Sequence, residues 1–210
     1  VVSIDPERGN IVLDLGKGGS AVLPRNEQVP GETFTEGQTV QVYVVDVLAT
    51  DRGPRVTISR THPGLVKRMF ELEVPEIYDG TVEVKAIARE AGARTKLAVW
   101  SKNPDVDPVG ACIGARGARV EKIVQELNGE KIDVIRWSED ITEFISAALS
   151  PAKVVKVELL PGETKSCRVT VPDHQLSLAI GNKGQNARLC ARLTGYNIDI
   201  RPESGYYGEE

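Results

Sequence analysis

Two short glycine loops carry the chemistry of this chain. Gly114-Ala115-Arg116-Gly117 and Gly181-Asn182-Lys183-Gly184 each set two glycines three apart, with a cation at the third loop position. Ile113 and Ile180 stand directly before them. Glycine has no Cβ, so another backbone can come close. A helical pattern follows each loop, and a helix starting there turns unpaired N–H groups and the positive end of its dipole toward the loop. That combination suits a phosphate, and Arg116 and Lys183 add charge beside it. Nothing in the pattern breaks a covalent bond. It holds a backbone.

The loops are copies of one unit. The first continues as Ala118-Arg119-Val120, the second as Gln185-Asn186-Ala187-Arg188. Further on, Gly129-Glu130-Lys131-Ile132-Asp133-Val134 matches Gly195-Tyr196-Asn197-Ile198-Asp199-Ile200. The copies lie 67 residues apart at the loop (114 to 181) and 66 at the Ile-Asp pair (132 to 198). Net charge is −4, which argues against a general nucleic-acid coat. Locally the balance reverses: Arg116, Arg119 and Lys122 outnumber Glu121, and Lys183, Arg188 and Arg192 meet no acid. Cations focused on two loops of an acidic chain mark local phosphate sites.

Other chemistries lack their residues. Three widely spaced cysteines and two histidines, His62 and His174, give no zinc spacing, and buried thiols in a reducing cytosol are expected. No metal or cofactor is expected. Asp105 and Asp107 sit in a Pro-rich loop and are not read as acid–base or metal groups. A dinucleotide fingerprint or a Walker loop would need glycine spacings that are absent, since Gly184 is followed by Gln185. No nucleophile–base pair is readable, so the chain is read as a non-enzyme. No apolar run nears the roughly 20 residues that span a bilayer. The chain begins Val1-Val2-Ser3-Ile4 without Met and reads as a fragment.

The elements that must position the loops follow from periodicity. Residues 1–60 hold short β-rich runs (11–15, 20–23, 40–47 and 55–60) separated by turns, suggesting a small all-β barrel or sandwich. Pro63 opens a helix to about residue 73, with Leu65, Val66, Met69 and Phe70 on one face. Strands are expected at 81–88 and 95–100, a short helix before Gly114, a helix carrying Val120, Ile123, Val124 and Leu127, and a strand at 131–137. The order α-β-β-α-α-β repeats over 140–149, 153–160, 166–171, 172–180, 185–193 and 196–201, with Ser138 or Asp140 as the second unit's N-cap. The stretch from Glu203 reads as a mobile terminus or linker.

Helix–Ile-Gly-x-(Arg/Lys)-Gly–helix resembles the KH signature, and the element order is similar to its type II variant. The leader ending Val56-Thr57-Ile58-Ser59-Arg60-Thr61 resembles the end of an S-one RNA-binding domain, an OB-fold barrel. One S-one module followed by two tandem type II KH modules resembles the NusA family of transcription elongation and antitermination factors. The fold class this implies is multidomain α+β. The expected divisions are an N-terminally truncated S-one barrel at 1–61, KH modules at 62–138 and 139–202, and an acidic tail at 203–210. The family's N-terminal polymerase-binding domain has no counterpart in this sequence. With only Phe34 and Tyr43 aromatic in the first 60 residues, the barrel is not expected to be the main RNA contact.

The resemblance implies a cytoplasmic, single-stranded RNA-binding regulator of elongation, pausing, termination and antitermination. Nascent or leader transcripts and RNA polymerase are the implied partners. An RNA-binding accessory part of a degradation or ribosome-assembly complex is the alternative. The expected RNA-binding set is Ile113, Gly114, Ala115, Arg116, Gly117, Arg119 and Val120 with Ile132, Asp133 and Val134. In the second module it is Ile180, Gly181, Asn182, Lys183, Gly184, Gln185, Asn186 and Arg188 with Ile198, Asp199 and Ile200. Val109, Leu176 and Ala187 complete the apolar floors. By helical spacing alone Ile113, Val120, Ile123 and Val124 favour the core, though Ile113 and Val120 can serve both duties. Asp133 and Asp199 read equally as surface residues. Arg119 is preferred as a contact over Lys122 and Arg188. Trp100 and Trp137 read as packing residues rather than stacking platforms. At about four nucleotides per module, a rigid pair would hold roughly eight.

Overall fold

A computed structural model describes residues 1–205; residues 206–210 of the acidic tail lie outside it. The N-terminal part is strand-rich. β1 (Ser3–Ile4), β2 (Ile11–Gly16) and β3 (Gly19–Leu23) form one antiparallel sheet. β4 (Tyr43–Thr50) and β5 (Gly53–Ser59) form a second. Lys17 and Gly18, both at positive φ, make the tight turn between β2 and β3 that the glycines foretell. Alternate residues Ile11 and Leu13 face Ala21, Leu23 and Ile58 in a small core. β4 starts later than the apolar run suggests, because its partner ends at Ser59, opposite Tyr43. Beyond that point the chain turns toward the next helix. Val44, Val45, Val47 and Leu48 on β4 stay exposed.

The first α-β-β-α-α-β unit runs through α1 (Pro63–Glu73), α2 (Pro75–Tyr78), β6 (Val82–Glu90), β7 (Arg94–Ser101), α3 (Pro108–Ile113), α4 (Ala118–Glu126) and β8 (Lys131–Arg136). α2 is the one helix of this unit that periodicity does not reveal; at four residues it is too short to show any. Pro63 opens α1, with His62 as N-cap: its Nδ1 accepts from the Gly64 amide at 2.8 Å. The expected face of α1 is buried, Leu65, Val66, Met69 and Phe70 packing on Leu97 and Val99 of β7. Asp107, excluded above as a chemical group, caps α3 by accepting from the Val109 amide.

The second unit is α5 (Ile141–Ala148), β9 (Lys156–Leu159), β10 (Ser166–Val171), α6 (Leu176–Ile180), α7 (Gln185–Thr194) and β11 (Asn197–Pro202). Asp140 caps α5 through the Thr142 amide, and its bonds to Thr142 hold its carboxyl below the usual carboxylate range. In each unit the central strand pairs antiparallel with the one before it and parallel with the last: β6-β7-β8 and β9-β10-β11. Among the described residues, β8 and β11 therefore each keep one free edge. The tail begins fastened rather than mobile. The Glu203 amide bonds Val171 O and the Ser204 amide bonds Asp173.

The two units share a core. Residues on one face of the first sheet, Ala88, Ala98 and Ile135, join Phe144, Ile145, Val169, Leu189 and Cys190 of the second unit in one buried cluster. Small alanines let α7 lie close on β6 and β7. Lys96, with no exposed side-chain surface, crosses this seam: its ammonium donates to Asp133 at 2.9 Å and to Ser150 O at 2.7 Å. Burial pushes its pKa down against the pull of Asp133. The strand-rich part also meets the first unit. Glu32 accepts from the Asn128 side chain at 3.0 Å, Tyr43 stacks on His62 at 4.6 Å, and a Cβ on Gly64 would strike the Tyr43 ring. Cys112, Cys167 and Cys190 are all fully buried.

Candidate nucleic-acid interface

The two glycine loops have nearly the same backbone. Gly114 and Gly181 sit at φ/ψ 78/172° and 81/168°. Arg116 and Lys183 sit at 56/27° and 54/30°, and Gly117 and Gly184 at 77/11° and 75/12°. Six paired torsions agree within a few degrees. Positive φ costs an L-residue about 1 kcal/mol or more, yet both loops place their cation there. The result is that Arg116 and Lys183 point away from the fold. Both are exposed, and among the described residues neither side chain has a hydrogen-bond or ion-pair partner. α4 and α7 start directly after the loops without a side-chain cap. The N–H groups of Ala118 and Gln185 bond Ala115 O and Asn182 O within the loops, so each helix start offers an anion chiefly the positive end of its dipole.

The glycines of each loop differ in duty. A Cβ on Gly114 would come within 2.7 Å of the Arg119 stem, and one on Gly181 within 2.6 Å of the Asn186 amide nitrogen. Arg119 and Asn186 occupy equivalent positions, five residues past the first glycine. Arg119 folds back onto Ala111 O (2.7 Å) and Glu76 (3.0 Å). Asn186 is buried and donates to Ala179 O (2.9 Å) and Leu149 O (3.0 Å). Each ties its loop to the preceding helix. Gly117 has open space where a Cβ would go, and Gly184 has only the Arg188 tip at 3.8 Å. These second glycines face outward.

Several expected contact side chains are thus already engaged within the fold. Besides Arg119 and Asn186, Asp133 is held by Arg94 through two bonds (2.7 and 3.0 Å) and by Lys96. Arg188 bridges to Glu90 of the first unit at 2.6 Å and donates to Lys183 O. The same bond holds the Glu90 carboxyl below the usual range. Lys122 pairs with Glu73, so Arg119, Lys122 and Arg188 are alike in being spoken for. Asp199 pairs with Arg201 and, more loosely, Arg168 at the surface. Asn182 is exposed and Gln185 half-buried.

The apolar residues divide too. Ile123 is core, while Val109 and Val120 are half-buried against it. Ile113 is half-buried outside that cluster, and Ile180 is 38% exposed. Leu176 backs onto the second core, and Ala187 is half-buried. Ile132 and Val134 on β8, and Ile198 and Ile200 on β11, turn side chains inward and leave backbone on the free strand edge. Replacing Asn186 by Ala strands two buried carbonyls, a cost of about 2 kcal/mol. A thermal melt should fall by roughly 6 °C. An unchanged melt would mean those bonds do not hold the loop.

Two family models match in tandem: the NusA-like first KH domain over residues 60–137 and the NusA-like second KH domain over 141–207. The chain belongs to the NusA family. Among its relatives, the transcription termination/antitermination protein NusA of Halalkalibacterium halodurans is 59% identical over 194 residues, 92% of this chain and 50% of the relative. NusA of Bacillus subtilis is 56% identical over 194 residues, 92% and 52%. NusA of Thermus thermophilus is 51% identical over 198 residues, 94% and 51%. The chain spans about half the length of these NusA relatives. Among the described residues, no helix is long and apolar enough to cross a membrane, and no group of three or more His, Cys, Asp or Glu could hold a metal.

Proposed function

We propose that this chain is the RNA-holding segment of a transcription regulator acting in elongation, pausing, termination and antitermination. It grips one single strand through both KH modules and carries out no catalysis. The observation that carries this reading is the matched pair of glycine loops, each with an unpaired cation and an uncapped helix start. Phosphates pack on residues 114–117 and 181–184, drawn by Arg116 and Lys183. Bases turn onto Ile113 and Val120, or Ile180 and Ala187. The free edges of β8 and β11, through the backbone of 132–134 and 198–200, read them. Arg119, Asn186, Asp133 and Arg188 shape the site by position, while Asn182, Gln185 and Asp199 lie within reach. The divisions proposed are 1–61, 62–138, 139–202 and 203–210. Nascent transcripts and RNA polymerase are the proposed partners, in the cytoplasm; relatives named for transcription termination and antitermination support this.

The shared core makes the second contact intramolecular, worth a factor on the order of 100 in affinity. Anisotropy titration of labelled 8- to 12-nucleotide RNA tests this. Single strands should bind, and affinity should fall steeply with salt. Duplex RNA of equal length binding as tightly, or mononucleotides competing as well as the strand, would sink it.

A further inference from the structure

Beyond the loops, the chain's only two tryptophans meet each other. Trp100, at the end of β7, and Trp137, directly after β8, stand edge to face with centroids 6.5 Å apart. The Lys85 ammonium lies 4.6 and 5.0 Å from their ring centres and is paired with Glu83 at 3.1 Å. Both rings are half-buried and line an open trough of about 590 Å³ with Arg136, Ser138 and Glu143. A second hollow of about 560 Å³ shares Arg136 and Ala147 with it and is lined by Val134 of β8 and by Pro151 and Lys153 of the second module. Arg136 is exposed, and among the described residues neither its guanidinium nor the Lys153 ammonium has a hydrogen-bond or ion-pair partner.

The path therefore runs along the β8 edge, from the residues proposed to read bases in the first module to an aromatic pair at the seam. Arg136 and Lys153, without partners among the described residues, line it, and the two indoles stand at its end. We propose that this trough is an additional nucleotide subsite, in which one base of the single strand stacks against the Trp100–Trp137 pair while Arg136 meets its phosphate. Aromatic rings hold any base by its face, so the subsite adds affinity more than sequence preference. Two acids, Glu139 and Glu143, also line the trough, the latter accepting from the Ser138 hydroxyl, so Arg136 is the lining group that can meet a phosphate. The inference rests on the RNA-holding reading of the glycine loops.

Because both tryptophans lie here, their fluorescence reports this site alone. Titration with a 12-nucleotide single-stranded RNA should quench it in step with the anisotropy of the labelled RNA. Trp100→Ala should weaken binding of that RNA about tenfold, within the range stacked bases show. Trp100→Phe, which keeps a flat ring, should restore most of the loss, whereas Trp100→Leu, which keeps apolar bulk without the ring, should not. Trp137 also packs on the shared core, so Trp100 is the residue to change. If the RNA binds with unaltered fluorescence and Trp100→Ala binds as the parent does, the subsite is overturned and the loop reading stands. If no single strand binds, both fall. Quenching by a proline-rich peptide but not by RNA would reassign the trough to a protein partner.

Discussion

Aspartate at Gly117 and Gly184 together lowers affinity for single-stranded RNA by at least about 100-fold and leaves the fold in place. Each site has room for a side chain: a Cβ would have only the Arg188 tip within 4 Å at Gly184 and nothing at Gly117. Each sits at φ near +75°, where aspartate is among the better tolerated residues, so the local cost is about 1 kcal/mol. The functional cost is larger. A carboxylate at the mouth of an uncapped helix N-terminus takes the place of a phosphate oxygen and repels the one that approaches. Either single change removes one module's grip and with it the gain from linkage. The double change removes both, and the salt dependence of any residual binding flattens. Circular dichroism and melting should stay near those of the parent. The informative contrast is Gly181→Ala, where the clash is with the Asn186 backbone and the fold itself gives way. Parent-like RNA affinity in a folded double variant would refute the loop mechanism.

Glu130→Ala should be the most damaging single change to stability. The Glu130 carboxylate has no exposed surface. It accepts from the Arg89 guanidinium, from the Thr95 hydroxyl at 2.7 Å and from the Gly92 amide at 2.7 Å. Arg89 is equally buried and also donates to Arg60 O and His62 O, the point where the strand-rich part joins the first KH module. Removing the acid leaves a guanidinium buried without its counter-charge, a cost of about 3–5 kcal/mol. Melting should drop by roughly 10 °C or more in a chain of this size. Glu130→Gln should fare little better, because it keeps the shape and loses the charge. The pair Arg89→Met and Glu130→Leu should recover part of the loss, but not all, since the carbonyls of Arg60 and His62 then lack their donor. A melt of Glu130→Ala within about 2 °C of the parent, on the scale of a surface change, would show that the pair does not hold this joint.

Local signals told much of this fold in advance. α1 begins at Pro63 and ends at Glu73 as its apolar face requires, and the order α-β-β-α-α-β appears twice. These features depend on periodicities and turn residues a few positions apart, which a single chain displays. Glu130 escaped notice because its partners lie 35 to 41 residues away and nothing near it marks burial. The same holds for Asn186, whose polarity reads as surface until the Leu149 and Ala179 carbonyls are seen behind it. Arg119 and Arg188 looked like free charges at the right spacing. Only tertiary contacts with Glu76 and Glu90 separate them from Arg116 and Lys183. The shared core was hinted at by the brevity of residues 137–140, but its alanines, Ala88 and Ala98, look ordinary in sequence.

The three hidden thiols give the chain a built-in clock. Burial pushes Cys112 and Cys190 up to about 12 and Cys167 above its ordinary value, and only the thiolate attacks alkylating reagents. Labelling at neutral pH is therefore gated by transient opening of the fold. Cys112 belongs to the first module's own interior, whereas Cys167 and Cys190 belong to the cluster the modules share. The order in which adducts accumulate on these sulfurs records which part of the molecule breathes first.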